Sequence, residues 1–386
     1  MRVAHVLTYV SSDGAYGGPL AVMVAHCREL AARGHHVEVF AGWDGQAELS
    51  IPGVKLNLFR VTRGLPIGFS GLVSGQLVRT VRRRAVEFDV VHFHLSRDLI
   101  TAPTALAVLG VRRGPKVFVQ THGMIKPDPR PVARVMDLAI RSILRRSASV
   151  LALNRTDAER VGAVGRSALS IVELPNGVPA QDHLHNPGPG VPEFIFLARL
   201  QPRKRVMLFA EAAALVTAAG VEARFTVVGP DEGDLTALLD FISQRRLEAV
   251  IRYEGALPPG TAPARLAAAD VYVLPSLNEP FPMTVLEAMS VGVPCIISTS
   301  CHIADRLAEL GGVVTFDHQA AELAGAITSL ATDRDRRVEL GKQAALTVTK
   351  AFGVSSVVDV LEHYYSMDRA ELERDERQLA AGVGQA

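Results

Sequence analysis

A chain of 386 residues, 48% hydrophobic and 21% charged, is too long for one ordinary core and too apolar for a disordered polymer, so two globular domains are expected. The formal net charge is only +1, but residues 1–180 hold 23 Lys/Arg against 13 Asp/Glu and the remainder holds 18 against 27, a split that points either to an anionic ligand or surface facing the first half or to nothing beyond two soluble domains. No apolar run approaches the roughly 20 residues of a membrane span, no secretory pattern follows Arg2, and Cys27, Cys295 and Cys301 make no metal spacing and cannot all pair, so a cytoplasmic, reducing location is expected.

In chain order, VAHVLTYV reads as a strand, SSDGAYGG as a loop, PLAVMVAHCRELAARG as an amphipathic helix stopped at Gly34, and HHVEVFAG as the next strand. DVVHFH, KVFVQTH and VLALN continue as strands with helical segments between them, the alternation of a parallel sheet covered by helices. PNGVPAQDHLHNPGPGVP is rich in Pro and Gly and reads as a linker. Alternation restarts with the strand EFIFLAR, the helix RVMLFAEAAALVTAAG and the strand ARFTVVG, then the strands AVIRYEG, VYVLP, VPCIIS and GVVTF. The boundaries predicted are 1–178, a linker at 179–192, a second domain at 193–352, and a charged helical tail at 353–386 that packs on the outside or frays. Ligands of doubly wound sheets bind at the C-terminal strand ends, so the site is expected in the cleft between two facing sheets.

The stretch NEPFPMTVLEAMSVGVPCI places Glu279 in the loop after the strand VYVLP and Glu287 eight residues on, within a helix expected to begin near Pro282. Free N–H groups at Met283 to Val285 would favour a phosphate there. Glu287 has the reach to accept hydrogen bonds from a ribose diol, and Glu279 from the hydroxyls of another ring. The alternative makes Glu279 a loop carboxylate beside the helix dipole and Glu287 a surface residue, and spacing alone does not choose.

This stretch resembles the glutamate–seven residues–glutamate signature of the retaining glycosyltransferases of family 4, which have the GT-B fold of two Rossmann-like domains. LARLQPRKR is similar to that family's Arg-Leu-x-x-x-Lys segment. TVVGPDEG, YEGALP, ADVYVLPSLNE, PNGV, YGGPLAVMVAHCRELAARGHHVEV and THG at 121–123 follow in the family's order. The resemblance implies that Arg199 and Lys204 hold the donor diphosphate and stabilise its leaving charge. It gives the ribose to Glu287, the transferred sugar to Glu279, and a hydrogen bond near the reacting carbon to His122. Gly255 would let backbone approach the base, and Gly17 and Gly18 would bring the first domain close to phosphate or sugar, although a turn requiring positive φ explains such glycines equally well. Phe281, Pro282, Met283 and Thr284 complete the donor contacts. Pro280 and Pro282 flank Phe281 where family members often have glycine; Pro282 has no N–H, so Met283 and Thr284 must supply the phosphate contacts. Arg203 and Arg205 read as surface charge.

The implied reaction is transfer of a sugar from a UDP- or GDP-type donor to an acceptor hydroxyl with retention. The acceptor would attack from the leaving-group side, with no metal or other cofactor. The expected partners are the nucleotide sugar and a sugar, lipid-linked or small-molecule acceptor, with peripheral contact to an anionic membrane and no nucleic acid. A GT-B sugar-nucleotide epimerase is the alternative, and a non-catalytic nucleotide-sugar binder a third reading. His92 and His94 share one strand face, as a metal pair would, but no third ligand of suitable spacing follows, and they read as a strand end lining the cleft. Asp333 and Asp335 read as solvated. The RTVRRR segment reads as a helix packed on the sheet with a wet basic face, in preference to a lipid-binding helix.

Overall fold

The computed structural model describes residues 1–11, 18–166, 168–181, 185, 188, 190–258, 260–368, 371–372 and 374, with Gly17 placed only as the first residue of a helix. It divides into two compact units, Met1–Gly177 with Val354–Ala386, and Val178–Gly353.

In the first unit the elements run β1 (Arg2–Val10), α1 (Gly17–Ala32), β2 (His36–Trp43), β3 (Val54–Arg60), the short hairpin strands β4 (Thr62–Arg63) and β5 (Leu72–Val73), α2 (Gly75–Arg84), β6 (Val90–His94), α3 (Thr101–Leu109), β7 (Lys116–Gln120), α4 (Pro131–Arg146), β8 (Ser149–Ala152), α5 (Arg155–Gly165) and β9 (Ile171–Glu173). Seven parallel strands form one sheet in the order β3-β2-β1-β6-β7-β8-β9, reversing direction between β1 and β6. Successive side chains of a strand face opposite sides. Ala4, Val6, Val91 and Phe93 therefore pack under α2 to α4, while Val3, Leu7, Val90 and Phe118 pack with α1. Both faces are covered, which is why these strands read as nearly continuous apolar runs. The edge strands β3 and β9 escaped the sequence reading: VKLNLFR is only half-buried and interrupted by polar residues, and β9 has three residues.

The second unit contains β10 (Glu193–Leu197), α6 (Val206–Ala218), β11 (Arg224–Val228), α7 (Leu235–Arg245), β12 (Ile251–Tyr253), α8 (Ala262–Ala267), β13 (Val271–Leu274), α9 (Met283–Ser290), β14 (Cys295–Ser298), α10 (Ala304–Leu310), β15 (Val313–Phe316), α11 (Ala320–Thr332) and α12 (Arg334–Ala351). Its six parallel strands are ordered β12-β11-β10-β13-β14-β15 and reverse between β10 and β13. Part of the predicted linker is tied to this unit, since His185 donates its backbone N–H to Val291 at 2.7 Å.

Beyond Gly353 the chain returns to the first unit as α13 (Val354–Ser366). Val357, Val358, Leu361 and Tyr365 are buried in the core beside α1, so the start of the predicted tail is structural rather than peripheral or frayed. Its charged end, residues 375–386, lies outside the described residues. Asp333 and Asp335 are exposed, as expected, and Asp333 is also the N-cap of α12, accepting the Arg336 N–H at 2.9 Å. In α2, Leu77 and Val81 are buried while Arg79, Arg82 and Arg83 are exposed. The apolar face is used by the fold, and contact of this helix with a membrane would be by charge alone. Among the described residues no helix is long and apolar enough to cross a membrane, and Cys27, Cys295 and Cys301 are free and buried.

Candidate functional site

Where a sheet reverses its strand order, the loops leaving two adjacent strands diverge and leave a crevice. In the second unit those loops are 198–205 after β10 and 275–282 after β13. A cavity of about 480 Å³ lies there, lined by the ends of β10 and β11, by Arg199, Arg203 and Lys204, and by Glu279 and Phe281 to Thr284 at the start of α9. A larger cavity of about 700 Å³, beside β12, and one of about 550 Å³, beside α4, are lined by none of the candidate site residues.

Glu279 is buried, and its Oε2 lies 2.5 Å from the Lys204 Nζ and 3.4 Å from Arg203 Nη1. The two loops are thereby tied together by charge across the crevice. Arg203 is thus part of the site and not the surface charge expected. The signal was its place beside Lys204 in a short 3₁₀ turn, Pro202–Lys204, whose backbone also accepts the Leu277 N–H. Arg205 does turn away, capping the carbonyl of His318 at 2.8 Å. Arg199 is exposed and pairs with Glu232 at 3.0 Å. Three cations against one carboxylate among the described lining residues leave the cavity with surplus positive charge, which attracts anions.

The start of α9 differs in detail from expectation. The helix begins at Met283, with Pro282 as its N-cap. The Met283 N–H is taken by the Phe281 carbonyl at 3.1 Å and the Val285 N–H by the Pro282 carbonyl at 3.0 Å. Of the three expected amides, Thr284 alone has no backbone acceptor among the described residues. Proline at 282 locks the turn that consumes the others. The Thr284 hydroxyl bonds the buried Tyr272 hydroxyl at 2.7 Å, and Phe281 is buried with its ring 6.4 Å from that of Phe352.

Glu287 lies one turn further along α9, outside the cavity lining and half-buried. No described residue hydrogen-bonds its carboxylate, and burial pushes its pKa above the usual carboxylate range. Gly255 takes φ +79°, a backbone reason for glycine, and its carbonyl accepts the Gly229 N–H at 2.8 Å. Gly229 itself was not singled out from the sequence. It lines the cavity at φ +146°, and a Cβ there would lie 1.9 Å from the Ala198 carbonyl oxygen. Only glycine lets β10 and β11 end this close together.

In the first unit, Gly18 sits exposed in the first turn of α1 without positive φ, so the turn explanation does not apply to it. The surroundings of Gly17, like residues 12–16, lie outside the described residues. His122 follows β7 at φ +51° and is half-buried. Its Nε2 lies 2.8 Å from Nδ1 of His94. His92 and His94 are fully buried, His92 beside Tyr365 of α13 and His26 of α1, and do not line an open strand end. A third imidazole does accompany them: β1 is in register with β6, pairing His5 with His92. Spacing along one strand could not reveal a neighbour supplied by another.

The family model described as Glycosyltransferase Family 4 matches residues 16–182, and that described as Glycosyl transferases group 1 matches residues 181–347. This chain belongs to glycosyltransferase family 4. The transferase is 26% identical to a D-inositol 3-phosphate glycosyltransferase of Pseudarthrobacter chlorophenolicus, over 90% of this chain and 91% of that one. It is 32% identical to a putative colanic acid biosynthesis glycosyltransferase, WcaL, of Salmonella typhimurium, over 58% of this chain and 56% of the relative. Among solved structures it is similar to Anabaena HepE in complex with UDP, with a TM-score of 0.73 at 18% identity, covering 95% of this chain and 100% of the other. The two parallel-sheet domains are accordingly those of the GT-B fold.

Proposed function

We propose that this glycosyltransferase is a retaining enzyme that moves a sugar from a nucleoside diphosphate donor, UDP-type in the first instance, to a hydroxyl of a glycan or phosphorylated polyol. The observation that carries the reading is the convergence of Arg199, Arg203 and Lys204 with Glu279 on one cavity at the strand-order reversal of the second unit. A diphosphate brings two negative charges to a cavity with surplus cations, and those cations stabilise the charge that grows on it as the glycosidic bond breaks. Glu279, held against Lys204, is oriented to accept hydroxyls of the transferred sugar. Glu287 has unused acceptor capacity for the ribose. No carboxylate of the motif set is placed as a nucleophile, which favours attack from the leaving-group side with the departing phosphate taking the proton. The UDP complex of HepE supports the choice of base. The inositol phosphate and colanic acid relatives, with the basic first half of the chain, support an anionic or polyhydroxylated acceptor.

The test is UDP release from UDP-glucose with and without an acceptor panel, for the wild type and for Arg199→Ala and Lys204→Ala. Arg199 is exposed, so its loss costs little stability and a fall in transfer of at least about a hundredfold cannot be assigned to unfolding. Wild-type transfer in both variants sinks the proposal. Conversion of the donor sugar with no acceptor present would favour the epimerase instead.

A further inference from the structure

The first unit contains a column of buried imidazoles that the reaction above does not call for. His5, His26, His92 and His94 are fully buried, and His122 ends the column half-buried. Three of them, His5, His92 and His94, cluster as metal ligands do, but His5 and His94 are oriented as members of a hydrogen-bonded chain and His92 turns its Nδ1 to the Tyr365 hydroxyl. His5 Nδ1 and His94 Nε2 are 3.1 Å apart while the ring centres are 5.4 Å apart and the planes differ by 29°. His94 Nδ1 and His122 Nε2 are 2.8 Å apart with centres at 5.0 Å and planes within 15°. In each pair the centre separation is close to the nitrogen separation plus one ring radius at either end, so the nitrogens lie on the line of centres. Each lone pair therefore points at the neighbouring ring's nitrogen and not at a common third point, where a metal would have to sit.

A neutral imidazole has one N–H and one lone pair, so such a chain must run in one direction or the other. If it ran from His122 towards His5, the proton of His5 would sit on Nε2, which is buried without a partner. An orphaned buried N–H is rarer and costlier than an orphaned acceptor. The opposite direction leaves only a lone pair unsatisfied. His5 Nδ1–H then donates to His94 Nε2, His94 Nδ1–H donates to His122 Nε2, and the remaining proton of His122 must be on Nδ1. Burial holds all three neutral, pushing His5 and His122 down to about 3 and His94 well below its ordinary value, so no second proton disturbs the sequence.

We propose that His94, itself set by His5, is a positioning residue that fixes His122 in the Nδ1–H form, so that His122 meets its ligand as a neutral hydrogen-bond donor and not as a base. With His122 on the donor sugar, an assignment that the family resemblance implies and on which this inference rests, its partner is an oxygen acceptor such as a sugar hydroxyl.

The experiment is a long-range proton–nitrogen correlation spectrum of the full chain labelled with ¹⁵N-histidine near pH 7.5, with His122 identified by the signal lost in His122→Gln. The expected wild-type pattern is protonated Nδ1 and bare Nε2. His94→Phe removes the donor and should return His122 towards Nε2–H, with kcat for transfer down at least tenfold and donor KM changed less. His94→Asn, whose amide N–H stands near the former Nδ1–H, should restore the tautomer and most of the rate. An Nε2–H wild type, or an Nδ1–H signal that survives His94→Phe, overturns the proposal. If His94→Phe does not fold, the wild-type spectrum alone decides. Tautomers as expected with transfer unchanged in His94→Phe and His122→Gln would uphold the column and instead remove His122 from the donor site.

Discussion

Glu279 and Glu287 stand on the same short segment, yet their surroundings set them opposite tasks. Glu279 has its counter-charges in place, Lys204 at 2.5 Å and Arg203 at 3.4 Å. Removing its charge leaves a half-buried ammonium short of a partner, so Glu279→Gln is expected to lower both stability and transfer. Glu287 carries a largely desolvated carboxyl with no hydrogen-bond donor among the described residues. A buried polar group without a partner costs about 1–3 kcal/mol, more for a charged one. Glu287→Gln should therefore raise the melting temperature of the ligand-free protein by a few degrees. The same change should weaken UDP about ten- to a hundredfold, because a charged acceptor contributes about 1.5–3 kcal/mol to each hydrogen bond it makes. Thermal shift with and without UDP reads both effects at once. Unchanged UDP affinity would take Glu287 out of the nucleotide site. Stability given up for a contact that only a ligand completes is the signature of a binding residue, and it separates Glu287 from a carboxylate that merely tolerates its place.

At the scale of elements, α13 is the informative case. It follows α12 in sequence but packs in the other unit, with Leu361 and Tyr365 fully buried beside α1. Leu361→Ala is expected to cost about 2–5 kcal/mol, as buried leucine truncations do. Truncation after Gly353 should leave a chain that no longer folds its first unit, whereas removal of residues beyond Met367, which takes Leu372 alone of the described buried residues, should cost about as much as one buried leucine truncation; circular dichroism melts distinguish them. The sequence could not show this, because adjacency along the chain says nothing about which core a terminal helix joins. The inner strands and the order of motifs were legible, since parallel strands covered on both faces must be apolar throughout and Arg199, Lys204 and Glu279 fall in loops that follow such strands. Besides the edge strands and α13, three features of the site and its surroundings were not: the partner of Lys204, the amides consumed by the turn at Pro282, and the neighbour that β1 brings to His92. The first and the last depend on register between segments distant in sequence, whereas periodicity reports on one segment at a time; the second depends on the local turn at Pro282, which residue types alone do not specify.

For the whole molecule, the two units differ in what pH and ligand do to them. The first buries His5 and His26 as neutral groups, with pKa values depressed to about 3 and about 4 by loss of hydration. For a base depressed in the folded state, the unfolded chain takes up the proton first. Stability is then complete above the ordinary value of 6.5 and falls as pH drops from there towards the folded value, by on the order of 1.4 kcal/mol per pH unit for each histidine. Most carboxylates remain charged across pH 6.5 to 5, so this window belongs mainly to the histidines. The second unit buries no histidine of this kind among its described residues but holds the cavity lined by Arg199, Arg203 and Lys204. A ligand at about a hundred times its dissociation constant stabilises the unit that binds it by about 2.7 kcal/mol. Calorimetry should accordingly resolve two transitions. Lowering pH from 7 to 5 should depress one, and UDP should raise the other. A single transition shifted by both would mean that the units unfold together. An acid-sensitive transition that is also the UDP-responsive one would detach the histidine column from the stability of the first unit, because protonation of His5 and His26 acts on the core in which they are buried and the nucleotide acts where its phosphates are held.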